Sequence, residues 1–120
     1  MANEKYIMMS ENPTGTGAFS MNRKAKTEIG LRSAAEGFNC EASGTNSHAE
    51  GNYTKARANS SHAEGISCRA TAQASHAEGD TTTASGYESH AEGNTTTASG
   101  KGSHAEGNST KASGPNSHAE

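Results

Sequence analysis

The sequence has almost none of the side chains that fill an ordinary protein core. Its 120 residues include one Leu, three Ile, two Phe and neither Val nor Trp. Together with a mean hydropathy of −0.90, this composition is typical of a disordered chain. It excludes a globular domain built on large apolar side chains, so a folded form needs another source of stability.

Charge and apolar runs exclude several partners. The net charge is −3 and the isoelectric point is about 6.1, which gives no electrostatic reason to expect nucleic acid or an anionic membrane surface. No apolar run reaches the ~18 residues of a membrane span, so membrane insertion is not expected. Residues 1–9 lack a basic region followed by an apolar stretch and a cleavage site, which predicts no signal peptide in this chain.

What the sequence does have is a strict repeat of fourteen residues. A serine opens each period, and in six of the seven periods it is followed by His-Ala-Glu, while the first reads Ser-Ala-Ala-Glu-Gly. Low-complexity tracts do not keep such a phase, whereas a solenoid does, with one period per coil. A solenoid can fold on a thin core because its backbone hydrogen bonds run from coil to coil. The serines are Ser33, Ser47, Ser61, Ser75, Ser89, Ser103 and Ser117.

Each period, numbered from its serine as position 1, divides into two similar halves. Small residues occupy positions 1, 3 and 5 and again positions 8, 10 and 12, which is the alternation of a β-strand. This pattern predicts an all-β fold, a parallel β-roll solenoid with two short strands per coil, at positions 1–5 and 8–12. Glycine at position 5 and mostly glycine at position 12 are expected at the corners. Glycine every seven residues opposes an α-helix.

The small residues at positions 1, 3, 8 and 10 are predicted to point into a very flat roll. Cys40 and Cys68 both stand at position 8, two coils apart, so their Cα atoms are expected about 9–10 Å from each other, beyond the ~7 Å limit for a disulfide. They are therefore predicted to be buried free thiols. The predicted inward core includes Ala49, Ala63, Ala77, Ala91, Ala105, Cys40 and Cys68.

The repeat divides the chain into three segments. Residues 1–16 are predicted to be an N-terminal extension, residues 17–32 a degenerate first coil, and residues 33–120 the β-roll. Phe19 and Met21 lie fourteen residues before Ser33 and Ala35, and they are expected to project inward and cap the core. The chain ends inside a repeat at Glu120, which is expected to leave a strand edge for head-to-tail stacking or a further fibre module.

The outward positions of the two strands differ in their variability. Positions 9 and 11 vary, as a solvated surface does, whereas positions 2 and 4 hold His and Glu almost without change. We interpret a face without variation as one that contacts a partner with the same repeat, which is another copy of the chain. The predicted residues of this interface between copies are His48, Glu50, His62, Glu64, His76, Glu78, His90, Glu92, His104, Glu106, His118 and Glu120.

The repeat also resembles a known family. The strings Asn46-Ser47-His48-Ala49-Glu50-Gly51 and Thr96-Thr97-Ala98-Ser99-Gly100 are similar to the head repeat of trimeric autotransporter adhesins (the YadA-like family), whose pattern is Asn-Ser-Val-Ala-Ile-Gly. The resemblance implies a left-handed parallel β-roll and a homotrimer in which positions 2 and 4 face the common axis. The Ser-His-Ala-Glu-Gly variant resembles phage and prophage tail-fibre proteins, and the resemblance covers roughly residues 14–120.

This resemblance implies a structural role. The leading prediction is a fibre segment, a trimeric β-roll rod of a virion or an extracellular fibre, without catalysis. Two alternatives stay open, which are an adhesin head that binds a host surface or a glycan, and a filament subunit that stacks on itself. An enzyme is not expected, because Ser at position 1 and His at position 2 point to opposite faces of a strand and cannot share a proton.

The six histidines raise two further questions. Stacked imidazoles from three chains would offer His₃ layers to Zn²⁺ or Ni²⁺, but the repetition has a structural reason, so neither a metal site nor another cofactor is predicted. Burial and mutual repulsion would lower the pKa of His in the folded state, and stability would then fall in acid. The neighbouring glutamates act in the opposite direction, and the sequence leaves this balance open.

Overall fold

The fold is known from a computed structural model, which describes residues 8–9, 19–21 and 29–120. Residues 29–120 form a β-solenoid of about six turns with fourteen residues per coil, and their strands pair in parallel from coil to coil. The predicted all-β solenoid is confirmed, whereas its assembly as a trimer and its left-handed sense stay predictions. No helix long and apolar enough to cross a membrane occurs among the described residues.

Each coil contributes one long strand and one short strand to two separate sheets. The long strands are β3 (Ala34–Phe38), β5 (His48–Asn52), β7 (His62–Ile66), β9 (His76–Asp80), β11 (His90–Asn94), β13 (His104–Asn108) and the shorter β15 (His118–Ala119). The short strands are β4 (Glu41–Ala42), β6 (Lys55–Ala56), β8 (Arg69–Ala70), β10 (Thr83–Ala84), β12 (Thr97–Ala98) and β14 (Lys111–Ala112). They form a six-stranded sheet, and the long strands join β1 (Met8–Met9) and β2 (Phe19–Met21) in a nine-stranded sheet.

The coils stack in register, so each residue of the repeat lies next to its equivalent fourteen positions away. His90, for example, pairs with His76 on one side and His104 on the other. The imidazole centroids of His62 and His76 are 4.7 Å apart, which is the ordinary spacing of hydrogen-bonded strands. Backbone groups hold this spacing, as where the Lys55 N–H donates to the Cys68 carbonyl over 2.9 Å.

The corners lie at positions 7 and 14, and this corrects the predicted strand bounds. Tyr53 at position 7 has φ of 61° and Ser60 at position 14 has φ of 58°. In this left-handed conformation the Tyr53 N–H donates to the carbonyl of Phe38 in the neighbouring coil over 2.8 Å. The strands therefore span positions 2–6 and 9–10. The expected corner glycine at position 5 is wrong, because this position lies inside the long strand. Gly86 at position 12 does begin the second corner, where its carbonyl accepts from the Ser89 N–H over 3.1 Å, although it has no left-handed φ.

The core consists of the small side chains at positions 1, 3, 8 and 10, which are buried inside the coils. The alanines at position 3 of complete coils are fully buried, as are Cys40 and Cys68, which are free thiols. The Ser61 hydroxyl donates to the Ala58 carbonyl over 2.6 Å and closes the corner. Thr54 similarly donates to the Cys40 Sγ over 3.1 Å, whereas the buried hydroxyls of Thr82, Ser89 and Thr96 have no hydrogen-bond partner. The buried alanines include Ala35, Ala49, Ala63, Ala77, Ala91 and Ala105.

The first coil does not keep the fourteen-residue register. Strand β2 pairs in parallel with β3, and Phe19 lies opposite Ala34 while Met21 lies opposite Glu36. The predicted alignment with Ser33 and Ala35 is therefore wrong by one residue, because this coil is one residue longer than the later ones. The predicted capping of the core by Phe19 and Met21 depends on side chains that lie outside the described part of the chain. Residues 1–7, 10–18 and 22–28 also lie outside it.

The glycine at position 5 is expected to be irreplaceable wherever another coil covers it. Gly79 and Gly107 both have a positive φ, 110° and 106°, so alanine at either is expected to cost about 1–3 kcal/mol of unfolding free energy in backbone strain. A Cβ at Gly79 would also overlap the carbonyl oxygen of Gly93, whereas at Gly107 the nearest atom is Thr110 Cγ2 at 3.6 Å. Gly79→Ala is thus expected to lose about 1–3 kcal/mol more. Urea denaturation of both variants measures this, and equal losses would contradict the stacking constraint.

The buried thiols give a second check on the inward face. Because Cys40 and Cys68 are fully buried, a thiol reagent is expected to modify them slowly in the native chain and completely in denaturant. Mass spectrometry over a time course measures both rates. Rapid labelling of the native chain, or a disulfide that joins the two residues, would show that position 8 does not face the core.

Candidate functional site

The outer face of the nine-stranded sheet carries two rows of ionisable side chains. Positions 2 and 4 lie two residues apart on each long strand, so their side chains share one face, and the in-register coils align them into rows. We call these rows the His–Glu ladder. It consists of His48, His62, His76, His90, His104 and His118, together with Glu36, Glu50, Glu64, Glu78, Glu92, Glu106 and Glu120.

The imidazoles of the ladder form a parallel stack. From His48 to His104 the ring centroids of neighbours are 4.7–4.8 Å apart, and in the middle of the stack the rings tilt by only 4–6°. The side chains are half-buried, with 34% of His76 and 32% of Glu78 exposed. Such partial burial weakens the interaction of the rings with water without removing it.

Carboxylate oxygens flank the Nε2 atoms of this stack. The His76 Nε2 lies 3.6 Å from an oxygen of Glu78 in its own coil and 4.0 Å from one of Glu64 in the preceding coil. The same two contacts recur at His90 and His104, at 3.6–3.9 Å. Glu64, Glu78, Glu92 and Glu106 therefore each lie between two histidines, and the contacts form one connected zigzag from His62 to Glu120.

Most of these contacts are too long to be hydrogen bonds. The Nε2 atoms of four histidines are buried and have no hydrogen-bond partner, although carboxylates lie on both sides of most of them. Only His48 makes a hydrogen bond, to Glu36 over 3.2 Å. A buried polar atom without a partner costs stability, so the ladder is a place where a cation or a partner chain would be favoured. The four atoms belong to His62, His76, His90 and His104.

The stacked glutamates share protons along the row. Hydrogen bonds with Glu64 and Glu92 raise the pKa of Glu78 to about 7. The same proton sharing with Glu78 lowers the pKa of Glu64 and of Glu92, which are the charged members of each pair. Because neighbouring carboxylates cannot all ionise without repulsion, raised and lowered pKa values alternate along the row, raised at Glu50, Glu78 and Glu106 and lowered at Glu64 and Glu92.

The histidines shift in the opposite sense. Burial lowers the pKa of His62, His76 and His90, and the neighbouring imidazoles lower that of His76 further. The neutral ring is therefore favoured in the folded chain, so the contribution of these histidines to stability is complete above their ordinary pKa of 6.5 and is lost as the pH falls below it. The sequence left open whether burial and repulsion or the neighbouring glutamates decide the pKa of these histidines, and burial prevails at all three. The contribution of Glu78 to stability changes with pH in the opposite direction, because its pKa is raised.

A long groove follows the ladder. Its volume is about 1010 Å³, and its lining alternates between the glutamates of position 4 and the glycines of position 5, from Glu36 and Gly37 to Glu120. The groove exists because glycine presents no side chain beside each glutamate. Its walls repeat in every coil, so it has the same cross-section along the whole roll.

The structure brings all twelve predicted interface side chains onto one face, and it adds residues that the sequence reasoning left out. Glu36 belongs to the ladder, although its coil has Ala34 where the later coils have His. The Oε1 atom of Glu36 forms the hydrogen bond with the Nε2 atom of His48. The sequence could have predicted Glu36 as part of this face, because Glu36 stands at position 4 of its period. The glycines that form the groove were interpreted as corners. The serine of each repeat is buried inside the coil, as Ser75 is, whereas the adjacent His76 lies on the outer face.

Comparison of the chain with protein-family models, with curated proteins and with solved structures finds no match. The similarity to YadA-like head repeats therefore stays an expectation from the residues that carry it. Function is argued below from the geometry of the ladder.

Replacing Glu78 tests the shared protons. The pKa of Glu78 is about 7, which is above the ordinary value of 4.5. The stability that this protonated side chain contributes is therefore complete below pH 4.5 and is lost as the pH rises through about 7. Gln stays neutral, so Glu78→Gln is expected to melt a few degrees above the wild type near pH 8 and at the same temperature near pH 4. Thermal denaturation followed by circular dichroism in metal-free buffer measures the difference.

Glu88→Gln is the matched control, because it removes the same charge from an exposed corner residue outside the ladder. Its melting temperature is expected to differ from that of the wild type by the same small amount at both pH values. If Glu78→Gln gains no more near pH 8 than Glu88→Gln does, the glutamates do not share protons.

Proposed function

We propose that the chain is a structural segment of a fibre, in which three copies pack around a common axis through the His–Glu ladder. This is the role implied by the resemblance to tail-fibre proteins and to trimeric adhesin heads. In this role the roll supplies a stiff rod and an invariant contact face, and it performs no chemistry of its own.

The observation that carries the proposal is the uniform, half-buried face itself. The groove beside the ladder runs through seven coils and is lined by the same two residue types throughout. A partner that fits such a groove along its whole length needs features at the same spacing of about 4.8 Å, which is the repeat of stacked β-strands. Another copy of the same roll has this spacing in register.

The six-stranded sheet provides the contrast. Its outward residues change from coil to coil, with Lys55, Arg69 and Thr83 following one another at position 9. Arg57 at position 11 forms an ion pair with Glu41 at 2.9 Å across the surface, as exposed charges commonly do. A surface without a repeating pattern offers nothing for an identical copy to match, so the contact is assigned to the other sheet.

A contact through His and Glu favours specificity over stability. Burying ionisable groups between chains costs desolvation that apolar residues would not. In return, histidines and glutamates of neighbouring chains can pair only when their coils are in step, so the ladder fixes the axial register of the rod. It also disfavours the open stacking of β-sheets that an apolar face of this length would invite.

The oligomeric state and the contact face can be tested together. Light scattering is expected to give three times the chain mass of 12.3 kDa. In a background with Cys40→Thr and Cys68→Thr, which places the usual residue at position 8, Glu78→Cys is expected to form disulfide-linked dimers on oxidation, with one chain of three left unpaired. Ser85→Cys, on the outer face of the six-stranded sheet, is expected to stay monomeric on a non-reducing gel.

Two results would overturn the proposal. A monodisperse species with the mass of one chain would exclude the trimer. Cross-linking through Ser85→Cys with none through Glu78→Cys would show that the chains meet through the opposite sheet.

A further inference from the structure

The His–Glu ladder has the donor set of a metal site within a single chain. Imidazole nitrogen and carboxylate oxygen are both zinc ligands. Five groups of three residues place one ligand atom each within 4.8 Å of one another. Two groups combine one histidine with two glutamates, Glu36 with His48 and Glu50, and Glu106 with His118 and Glu120. The other three combine one glutamate with the histidines of two adjacent coils, and they are His62 with Glu64 and His76, His76 with Glu78 and His90, and His90 with Glu92 and His104. At His76, His90 and His104 the Nε2 lies between carboxylate oxygens of two glutamates at 3.6–4.0 Å.

The distances fit an ion after a small contraction. With metal–ligand bonds of about 2.0–2.2 Å, the ligand atoms of a tetrahedral zinc site lie about 3.3–3.6 Å apart. The His76 Nε2 is 3.6 Å and 4.0 Å from its two carboxylate oxygens. Movement of the side chains by a few tenths of an ångström brings each oxygen to this distance from Nε2, and a tetrahedral site with three protein ligands keeps a fourth position for water or a neighbouring chain.

The stack of rings decides which atoms share an ion. His76 and His90 are 4.7 Å apart and tilted by only 4°, so their Nε2 lone pairs run parallel and cannot converge on one ion. Each site therefore takes one imidazole and two glutamates from adjacent coils, and each interior glutamate gives one oxygen to each of two sites. His62 has a carboxylate within 4.0 Å only from Glu64, which makes it the poorest site.

We propose that the His–Glu ladder is a column of Zn²⁺ sites, each formed by the Nε2 of one histidine and carboxylate oxygens of two glutamates in successive coils. Zinc fills the gap left at the buried Nε2 atoms that have no hydrogen-bond partner, and it neutralises stacked carboxylates that otherwise repel. The sites are complete in one chain, so the proposal goes beyond the fibre role and does not require the trimer.

Neighbouring sites cannot all be filled at once. They are separated by about 4.8 Å, the spacing of the coils, and two divalent ions at this distance repel strongly. Five positions have two carboxylates in reach, at His48, His76, His90, His104 and His118. Filling alternate positions gives about three ions per chain.

The test is a zinc titration of the full chain after chelator treatment, with calorimetry for the stoichiometry. About three Zn²⁺ per chain are expected, and Co²⁺ in their place is expected to give the intense visible absorption of four-coordinate cobalt. Glu78→Gln with Glu92→Gln removes a ligand from the three central sites, so affinity there is expected to fall at least about tenfold. Circular dichroism confirms that the variant is folded.

The matched control is Asp80→Asn with Glu88→Gln, which removes two charges outside the ladder. Asp80 accepts a hydrogen bond from Thr81, and Asn94 in the next coil accepts the same bond from Thr95, so asparagine suits this position. The control is expected to bind zinc like the wild type. Equal loss in both variants, a Co²⁺ spectrum of the hydrated ion, or equal binding of Ca²⁺ would overturn the proposal.

Light scattering in chelator and in zinc separates this proposal from the fibre role. A trimer that persists in chelator while zinc fails to bind overturns the zinc sites alone. A monomer that binds zinc with the expected stoichiometry supports the sites and overturns the trimer.

Discussion

The structure depends on one constraint, the in-register stacking of coils at the spacing of hydrogen-bonded strands. Backbone N–H groups along the roll donate to carbonyl oxygens of a neighbouring coil, so the chain does not need a large apolar core to hold its coils together. The stacking has a strict consequence, because each position of the repeat is placed directly against the same position of the next coil. Alanine then packs on alanine inside the roll, and glycine at position 5 allows its neighbour's carbonyl to approach where a side chain would overlap it.

The same constraint creates the electrostatic problem of the outer face. Rows of identical ionisable groups at 4.7–4.8 Å repel if all are charged alike. The ladder lowers this cost in two ways that its geometry makes visible. Interaction with neighbouring glutamates raises the pKa of Glu78 and lowers that of Glu64, and burial favours neutral histidine by lowering the pKa of His76. What remains is a column of buried nitrogen atoms without hydrogen-bond partners, beside carboxylates.

The two proposals follow from this single column. A face whose polar atoms are incompletely satisfied gains free energy from any partner that supplies what is missing at the same spacing. A neighbouring roll would supply it as aligned side chains, and a divalent cation would supply it as positive charge. In either case the function belongs to the row and not to one residue, since each coil repeats the same few groups.

The sequence by itself determined the solenoid, its period and its core. A fixed period, and small residues at alternate positions of each half, leave no other way to bury Ala77 and Cys68 and to pair the backbone. The strand bounds and the corners were decided only by the tertiary structure, because left-handed residues such as Tyr53 and Ser60 carry no common side chain that would mark them. The one-residue shift of strand β2 was not predictable either, because Phe19–Met21 do not match the repeat motif that fixes the register of the later coils. Tertiary structure also decided the chemistry of the ladder, because a pattern of His and Glu shows which residues share a face, but only the stacking of coils brings Glu64 within 4.0 Å of His76 and Glu78 within 3.9 Å of His90.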